Sequence, residues 1–189
     1  MSIPAFTNIT LFPSFSTCPE TTAPAPAEDW FLLAQVKDDM TITKPTLVLS
    51  DRDSSPFALV FDGLERDDLD LKKLGLKKGN TAVIPRAKKT PPKDDTKRGF
   101  VSVEKGRAAE VKVIPGPLDK VFTVGAWLRE RESSGAEPVC ETCGKEGELM
   151  KCTGCGRVKY CGKECQLKGW TEKHKGECKI VKGISEIWR

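Results

Sequence analysis

The chain has 189 residues, of which 38% are hydrophobic and 31% charged, and its formal net charge at pH 7 is +4. This composition is typical of a folded globular protein and excludes a wholly disordered chain, and no apolar run approaches the roughly 18 residues that a membrane helix needs. The first lysine or arginine is Lys37, so the basic start of a secretory signal is missing. We therefore expect an intracellular protein of the cytoplasm, the nucleus or both, without membrane contact.

Residues 1–28 are rich in Pro, Ser and Thr and contain no lysine or arginine. Such a composition buries little apolar surface, so it predicts a disordered, extended arm. Cys18 lies in this arm, far in sequence from the other cysteines. It is expected to be a free thiol without a special role.

From residue 29 the pattern changes to short apolar or β-branched runs separated by turn residues, which predicts β-strands. The strands are expected at residues 30–37, 46–50, 57–62, 81–85, 100–104 and 110–114. A short helix or turn is expected between the third and fourth strands, and apolar positions at helical spacing predict a helix over 117–132. This order is typical of an OB-like barrel, so residues 29–131 are interpreted as a small β-barrel-like domain with a C-terminal helix, in an α+β, mostly β protein.

The segment 86–98, between the fourth and fifth expected strands, holds six basic residues against Asp94 and Asp95. In OB folds a loop in this place often contacts nucleic acid, with help from aromatic residues on the strands. Only 7% of the chain is aromatic, so a solvated loop is favoured. A nucleic-acid-associated barrel, with Lys88, Lys89, Lys97 and Arg98 as its basic contacts, is the alternative.

Two short segments flank the remaining part of the chain. Residues 132–139 have the polar, Ser-, Gly- and Pro-containing composition of a linker. Residues 179–189 place Ile180, Ile184, Ile187 and Trp188 on one helical face, which predicts a short amphipathic tail. Side chains of this kind are usually buried, so the tail is expected to dock on the protein.

Between linker and tail, residues 140–178 contain seven of the eight cysteines and the only histidine. They form four pairs: Cys140 with Cys143, Cys152 with Cys155, Cys161 with Cys165, and His174 with Cys178. A tight turn or one helical turn aims both donors of a pair at one point, and structural zinc takes four ligands. Eight ligands therefore predict two closed zinc sites, and the spacing alone leaves open which pairs share an ion.

This segment resembles a MYND finger. The ligand order of six cysteines, one histidine and one cysteine is that family's pattern, as are Tyr160 before the third pair and Gln166, Trp170 and Lys175 after it. A RING or PHD finger places its histidine earlier in the order, and Gln166 and Trp170 favour a MYND over a HIT finger. The resemblance implies interleaved sites, with Cys140, Cys143, Cys161 and Cys165 on one zinc and Cys152, Cys155, His174 and Cys178 on the other.

The ligand set also bears on catalysis. A catalytic zinc keeps one coordination position open for water, whereas eight protein ligands close both sites. His174 is the only histidine and Tyr160 the only tyrosine, which excludes histidine-based acid–base schemes. A methyltransferase SET domain, which accompanies some MYND fingers, needs far more chain than remains. We therefore expect a non-enzymatic protein that holds two structural Zn²⁺ ions.

The resemblance also implies a partner. Peptide-binding MYND fingers present an aromatic surface to short proline-rich segments. By position, Trp170 would be the apolar platform, Gln166 a hydrogen-bonding partner and Thr153 a second polar contact. The alternative is that Trp170 belongs to the core and the other two side chains are merely hydrated.

Nucleic acid is a less favoured partner for this segment. Residues 140–178 hold eight Lys and Arg against six Asp and Glu, and seven thiolates outweigh the charge of two zinc ions. The segment therefore lacks a basic footprint for phosphate. The expected function is a zinc-binding protein-interaction module that recruits a proline-containing peptide, and a purely structural finger beside a nucleic-acid-associated barrel is the alternative.

Overall fold

The computed structural model describes residues 2–24, 27–92, 99–135 and 137–188. The chain forms two compact units: one is Phe6–Asp119, and the other combines Met1–Ala5 with Lys120–Arg189. The first is sheet-rich and the second contains the cysteine-rich segment, as predicted. The boundary differs from the predicted one, because the helix that precedes the cysteines belongs with them.

A seven-stranded sheet forms the first unit, in the order β5-β6-β3-β2-β1-β4-β7. Its strands are β1 (Phe31–Asp39), β2 (Thr46–Ser50), β3 (Pro56–Asp62), β4 (Thr81–Pro85), β5 (Lys89–Thr90), β6 (Phe100–Glu104) and β7 (Lys112–Ile114). The first five predicted strands are confirmed, and the sixth is shorter because Lys105–Glu110 forms a 3₁₀-helix. The two-residue β5 was not predicted, since so short a strand has no periodicity to detect.

Alternation of side chains places the core on one face of this sheet. In β2 the residues Leu47 and Leu49 are buried, and in β3 the residues Phe57, Leu59 and Phe61 are buried, each at every second position. Successive side chains of a strand point to opposite faces, so this pattern fixes the register of the pairing. In that register β3 runs antiparallel to β2 and parallel to β6.

The strand order is open. Only residues 86–88 separate β4 from β5, and Arg86 has a φ of 51°. The two strands nevertheless belong to opposite ends of the strand order, because β5 pairs with β6. Hydrogen bonding between the two end strands is not found among the described residues, so the predicted closed, OB-like barrel is not confirmed. What the structure contains is a seven-stranded sheet with a buried face.

Residues 2–24 differ from the predicted disordered arm. Phe6, Phe12 and Cys18 are buried, and the ring of Phe15 stacks on Phe57 with centroids 4.7 Å apart. The carboxylate of Asp51 accepts the Phe15 N–H at 2.6 Å. The composition suggested too little apolar surface for folding, but three phenylalanines supply it once the sheet offers a face to pack on.

In its described residues the second unit contains one helix, two short strands and one long helical segment. Its elements are α1 (Leu118–Ser133), β8 (Met150–Lys151), β9 (Lys159–Tyr160), α2 (Lys163–Gly169), a π-helical turn (Trp170–His174) and α3 (Lys175–Ile187). Helix α1 confirms the predicted helix, and its last residues occupy the start of the predicted linker. The predicted tail is the C-terminal part of α3, where Ile180, Ile184 and Trp188 are buried and Ile187 is half-buried.

The N-terminal residues contribute to this second unit. Ile3 is fully buried, its N–H donates to Glu132 Oε2 at 2.8 Å, and its carbonyl accepts from Arg129 at 3.3 Å. Glu132 also forms an ion pair with Arg157, whose Nε donates to Ser185 Oγ at 3.1 Å. Glu132 therefore links the N-terminal segment, α1 and α3.

Among the described residues, none of the helices is both long and apolar enough to cross a lipid bilayer.

Candidate metal centres

The first ligand group consists of Cys140, Cys143, Cys161 and Cys165. The first pair sits on a tight turn, in which Gly144, at a φ of 72°, donates its N–H to the Cys140 carbonyl at 2.8 Å. Cys161 follows β9 and lies two residues before the start of α2, and Cys165 lies in the first turn of that helix. The Sγ atoms are 3.7 Å apart between Cys143 and Cys161 and 3.5 Å apart between Cys161 and Cys165.

The second group consists of Cys152, Cys155, His174 and Cys178. A tight turn again presents the first pair, with the N–H of Gly156 donating to the Cys152 carbonyl at 2.8 Å. His174 ends the π-helical turn and Cys178 lies in the first turn of α3. The Nε2 atom of His174 lies 3.2 Å from Cys152 Sγ and 3.5 Å from Cys155 Sγ, and Cys152 and Cys178 are 3.8 Å apart through sulfur.

These distances fit zinc. All ligand atoms of each group lie within 4.8 Å of one another. A tetrahedron with Zn–S bonds of about 2.3 Å has edges of about 3.8 Å between sulfurs, and a Zn–N bond shortens the edge slightly. The close S···S and S···N contacts are therefore the edges of coordination tetrahedra. Each group fits one Zn²⁺ with no open position, the first through four cysteines and the second through three cysteines and the histidine. This interleaved pairing is the one that the resemblance implied.

The protein environment shifts the pKa values of the ligand thiols in different directions. Burial raises the pKa of Cys140, but N–H groups of Cys161, Cys143 and Thr142 outweigh this and lower it to about 6. Hydrogen bonding to Cys161 and Cys143 raises the pKa of Cys165 to about 12, and burial with the charge of Cys155 raises the pKa of Cys178 to about 12. A divalent ion beside the thiols favours the thiolate form and therefore opposes the rise at Cys165 and Cys178.

Two glycines allow the close approach that the centres need. A Cβ at Gly154 would lie 2.9 Å from the zinc ligand Cys178 Sγ. A Cβ at Gly169 would lie 2.7 Å from Thr142 Oγ1 and 2.8 Å from Tyr160 Cε1. Thr142 in turn donates its hydroxyl to the Cys165 carbonyl at 2.7 Å, so α2 is held directly against the first zinc turn. Residue spacing carries no signal that these two glycines are sterically required, because the clashing atoms are distant in the sequence.

Of the three predicted peptide-binding residues, Trp170 and Thr153 adjoin the second centre, whereas Gln166 follows Cys165, a ligand of the first centre. Trp170 is 38% exposed and its ring meets the His174 ring edge-on, with centroids 5.7 Å apart. Thr153 is exposed and follows the ligand Cys152. Gln166 is half-buried, and its backbone carbonyl accepts the backbone N–H of Trp170. The π-helical turn that carries Trp170 was not predicted, because a single inserted residue leaves no mark on a helical pattern.

The basic segment 86–98 is described only in part. Lys88 and Lys89 donate their ammonium groups to the carbonyls of Ala23 and Ser16, so both are engaged by residues that were expected to form the arm. Lys97 and Arg98, the other two predicted contacts, lie outside the described residues.

An interleaved pair of closed sites, one with four cysteines and one with three cysteines and a histidine, defines a structural double-zinc finger. Residues 140–178 match the family described as the MYND finger, and this segment is a MYND-type zinc finger. It is a zinc-binding protein-interaction module.

Several known proteins are similar to parts of this chain. F-box protein At5g50450 of Arabidopsis thaliana is 31% identical over 43% of this chain and 28% of its own length. N-lysine methyltransferase SMYD2-B of Danio rerio is 34% identical over 48% of this chain and 21% of its own length. Histone-lysine N-methyltransferase SMYD3 of Homo sapiens is 50% identical over 23% of this chain and 10% of its own length. The chain thus spans less than a third of the length of each. The solved structure of Schizosaccharomyces pombe Pot1pC bound to single-stranded DNA matches 61% of this chain and 98% of its own, at 10% identity and a TM-score of 0.34, a likeness too low to carry an argument.

Proposed function

We propose that the MYND finger recruits a proline-containing segment of a partner protein, with Trp170 as the apolar platform, Gln166 as a hydrogen-bonding partner and Thr153 as a second polar contact. The observation that carries this proposal is the exposure of Trp170. A tryptophan whose only role is to fill a core is expected to be largely buried, whereas 38% of Trp170 is exposed.

The second zinc centre holds this surface together. The Trp170 ring rests on the ring of His174, and His174 Nε2 lies 3.2 Å from Cys152 Sγ. Cys152 stands directly between β8 and Thr153 in the chain. The indole, through His174, and the end of β8, through Cys152, are therefore both held next to ligands of one metal ion. A preorganised surface loses little entropy when it binds.

Neighbouring features suit an extended ligand. Leu167, on the turn before Trp170, is 68% exposed, and Met150 in β8 is also exposed. Strand β8 pairs only with β9 among the described residues, so its outer edge offers backbone groups to a further strand. A proline-containing segment is already extended, costs little entropy to order and packs its rings on an indole.

The test is an array of proline-rich peptides probed with the zinc-loaded full chain. Wild type is compared with Trp170→Ala, and with Ile42→Ala, which truncates an exposed apolar side chain of the other unit. We expect peptides that bind wild type and Ile42→Ala but lose at least about tenfold in affinity to Trp170→Ala, as for an aromatic anchor. Zinc content, measured for each protein, has to remain at two ions.

Two results would count against the proposal. If wild type binds no proline-containing peptide, the finger does not recruit such segments. If Trp170→Ala with full zinc binds as well as wild type, the platform lies elsewhere on the finger.

We also propose that this chain acts without catalysis. Its only histidine is a zinc ligand, and both donor sets are complete. Because two of the relatives above are named as lysine methyltransferases, the direct test is methyl transfer from S-adenosylmethionine to lysine-containing peptides. No transfer above background is expected, and measurable turnover would overturn the proposal.

A nucleic-acid-associated barrel is not proposed. Lys88 and Lys89 bond to backbone carbonyls, and the described strands have few aromatic residues for stacking.

A further inference from the structure

Residues 2–5 form neither a helix nor a strand, yet they belong to the unit that contains the finger. Ile3 is fully buried there and Pro4 is half-buried. The Ile3 N–H donates to Glu132 Oε2 at 2.8 Å, and the Ile3 carbonyl accepts from Arg129 Nη1 at 3.3 Å. Backbone hydrogen bonds together with a pocket for a side chain are a common way in which proteins bind extended peptides. The unit therefore holds part of its own chain in the manner of a peptide ligand.

The pair of isoleucine and proline suits this mode of binding. A residue that precedes proline favours an extended backbone, so Ile3 loses little entropy when it is held in that form. Proline has no N–H group, so Pro4 can be partly buried without leaving a donor unpaired. Among residues 2–5 only Ile3 is buried. The contacts thus recognise an apolar residue followed by proline, and little else of the segment.

The two hydrogen bonds also define the direction of the segment. Arg129 and Glu132 are three residues apart on α1, which corresponds to about 4.5 Å along the helix axis. The N–H of Ile3 faces Glu132 and its carbonyl faces Arg129, so the segment runs antiparallel to α1. Residues that precede Ile3 are therefore directed towards the C-terminal end of this helix, at Ser133.

A cavity of about 500 Å³ lies at this end of α1, within the size range of pockets that bind ligands. Glu132 borders it, and the carboxylate that accepts the Ile3 N–H also pairs with Arg157, which lines the cavity too. None of the described residues 2–5 lines it. Its apolar wall consists of Trp127, Leu128, Pro138 and Val139. The cavity thus lies on the side from which residues before the isoleucine approach.

We propose that this side of α1 is a binding site for a partner segment in which an apolar residue precedes proline and further apolar residues stand before that pair. Residues 2–5 are its built-in occupant. A partner segment can make the contacts of Ile3 and Pro4 and can also fill the cavity, so it gains contacts that residues 2–5 lack. Trp170 does not contribute to this site, and the proposal does not depend on the function proposed for the Trp170 surface.

The test measures binding of the capped, dye-labelled peptide Leu-Leu-Ser-Ile-Pro-Ala, whose last four residues copy residues 2–5. The receptor is the zinc-loaded full chain in which Ile3→Gly and Pro4→Gly empty the site. Every receptor also carries Trp170→Ala, so that the surface proposed above cannot contribute. Fluorescence anisotropy should show saturable binding, with a dissociation constant on the order of 100 µM for so short a peptide.

Two comparisons test the isoleucine contacts. A peptide with alanine in place of isoleucine should bind at least about tenfold more weakly, because it loses the buried side chain. The receptor that keeps Ile3 and Pro4 should also bind the first peptide at least about tenfold more weakly than the emptied receptor, since its own segment competes for the same contacts.

Further comparisons test the cavity. Ser-Ile-Pro-Ala-Leu-Leu has the same composition but directs its leucines away from the cavity, so it should bind at least about tenfold more weakly. The ¹⁵N signal of the Trp127 indole, assigned by its loss in Trp127→Phe, should shift only with the first peptide. Val139→Asp places a charge in the apolar wall and should weaken the first peptide. Ile42→Asp, at an exposed apolar residue of the other unit, should leave its affinity unchanged.

Several results would overturn the proposal. These are no saturable binding to the emptied receptor, equal binding of the peptide with alanine, equal affinity with and without the built-in segment, or equal affinity of the two leucine-containing peptides. Dimers that grow with concentration and disappear in the emptied receptor would assign the site to a second copy of this chain instead of a partner. If the emptied receptor fails to retain two zinc ions, the smaller change Ile3→Ala replaces it in the same comparisons.

Discussion

Gly169 shows how a single atom can decide whether the finger assembles. Replacing it with alanine puts a Cβ 2.7 Å from Thr142 Oγ1 and 2.8 Å from Tyr160 Cε1. Because these atoms belong to the first zinc turn and the buried tyrosine, α2 has to move away from both. We expect Gly169→Ala to lower the free energy of unfolding of the zinc-loaded chain by about 1–3 kcal/mol, the usual cost of overpacking.

The matched control is Gly176→Ala, in the same helical segment. A Cβ there would make only an ordinary contact, 3.7 Å from Lys120 Nζ. In a helix interior alanine is more favourable than glycine by roughly 1 kcal/mol, so this variant should be at least as stable as wild type. Urea unfolding of both variants checks the pair, and equal stability would refute the steric argument.

Cys18 is the cysteine that the zinc sites do not use. Burial raises the pKa of its thiol from 9.0 to about 12, with Asp51 adding to the rise and Lys89 opposing it. Because the folded-state pKa lies above the unfolded one, the fold favours the neutral thiol. Its contribution to stability is complete below pH 9 and is lost as the pH rises from about 9 towards 12.

A variant isolates this effect. Between about pH 8 and about pH 10 the free energy of unfolding should fall by roughly 1.4 kcal/mol more in wild type than in Cys18→Ala. That amount is the worth of one pKa unit. Denaturant titrations of both proteins at the two pH values provide the measurement. Equal pH dependence in the two proteins would contradict the raised pKa.

At the scale of elements, residues 2–5 behave as part of the zinc-binding unit. Ile3 would be exposed in a disordered arm, yet here it is buried beside α1. Ile3→Ala should therefore lower the free energy of unfolding by about 2–4 kcal/mol. Ile9→Ala, at a residue that is 70% exposed, should change it little. Thermal unfolding of the two variants separates a docked segment from a disordered one, for which both would be neutral.

Some elements could be predicted from sequence because their signals are local. Short apolar runs between turn residues predicted β2 and β3, and helical spacing predicted α1. Ligand spacing predicted both zinc sets once the family resemblance resolved their pairing. Other features depend on partners far away in the chain. Phe12 is buried and Phe15 half-buried because they pack on the sheet, where Phe15 stacks on Phe57. Trp127 and Tyr160 line one cavity only because α1 packs beside the finger.

For the molecule as a whole, the two units should respond differently to zinc removal. The ligands lie in one unit, and the seven-stranded sheet has its own buried core in the other. Structural zinc contributes on the order of 10 kcal/mol to so small a module. A strong chelator should therefore remove two zinc ions and the circular dichroism of α2 and α3, while the sheet remains. Loss of both signals together would show that the sheet depends on the finger.

Interleaving has a consequence for how the ions enter. One site closes a loop from Cys140 to Cys165 and the other a loop from Cys152 to Cys178, and the two loops overlap. Binding the first ion therefore already restricts much of the chain that the second must close, so the entropy of loop closure is shared. The second ion should bind more tightly than the first, and at half saturation native mass spectrometry should find mostly empty and doubly loaded chains. Metal uptake by this finger is then cooperative, and each chain is expected to be either metal-free or fully loaded.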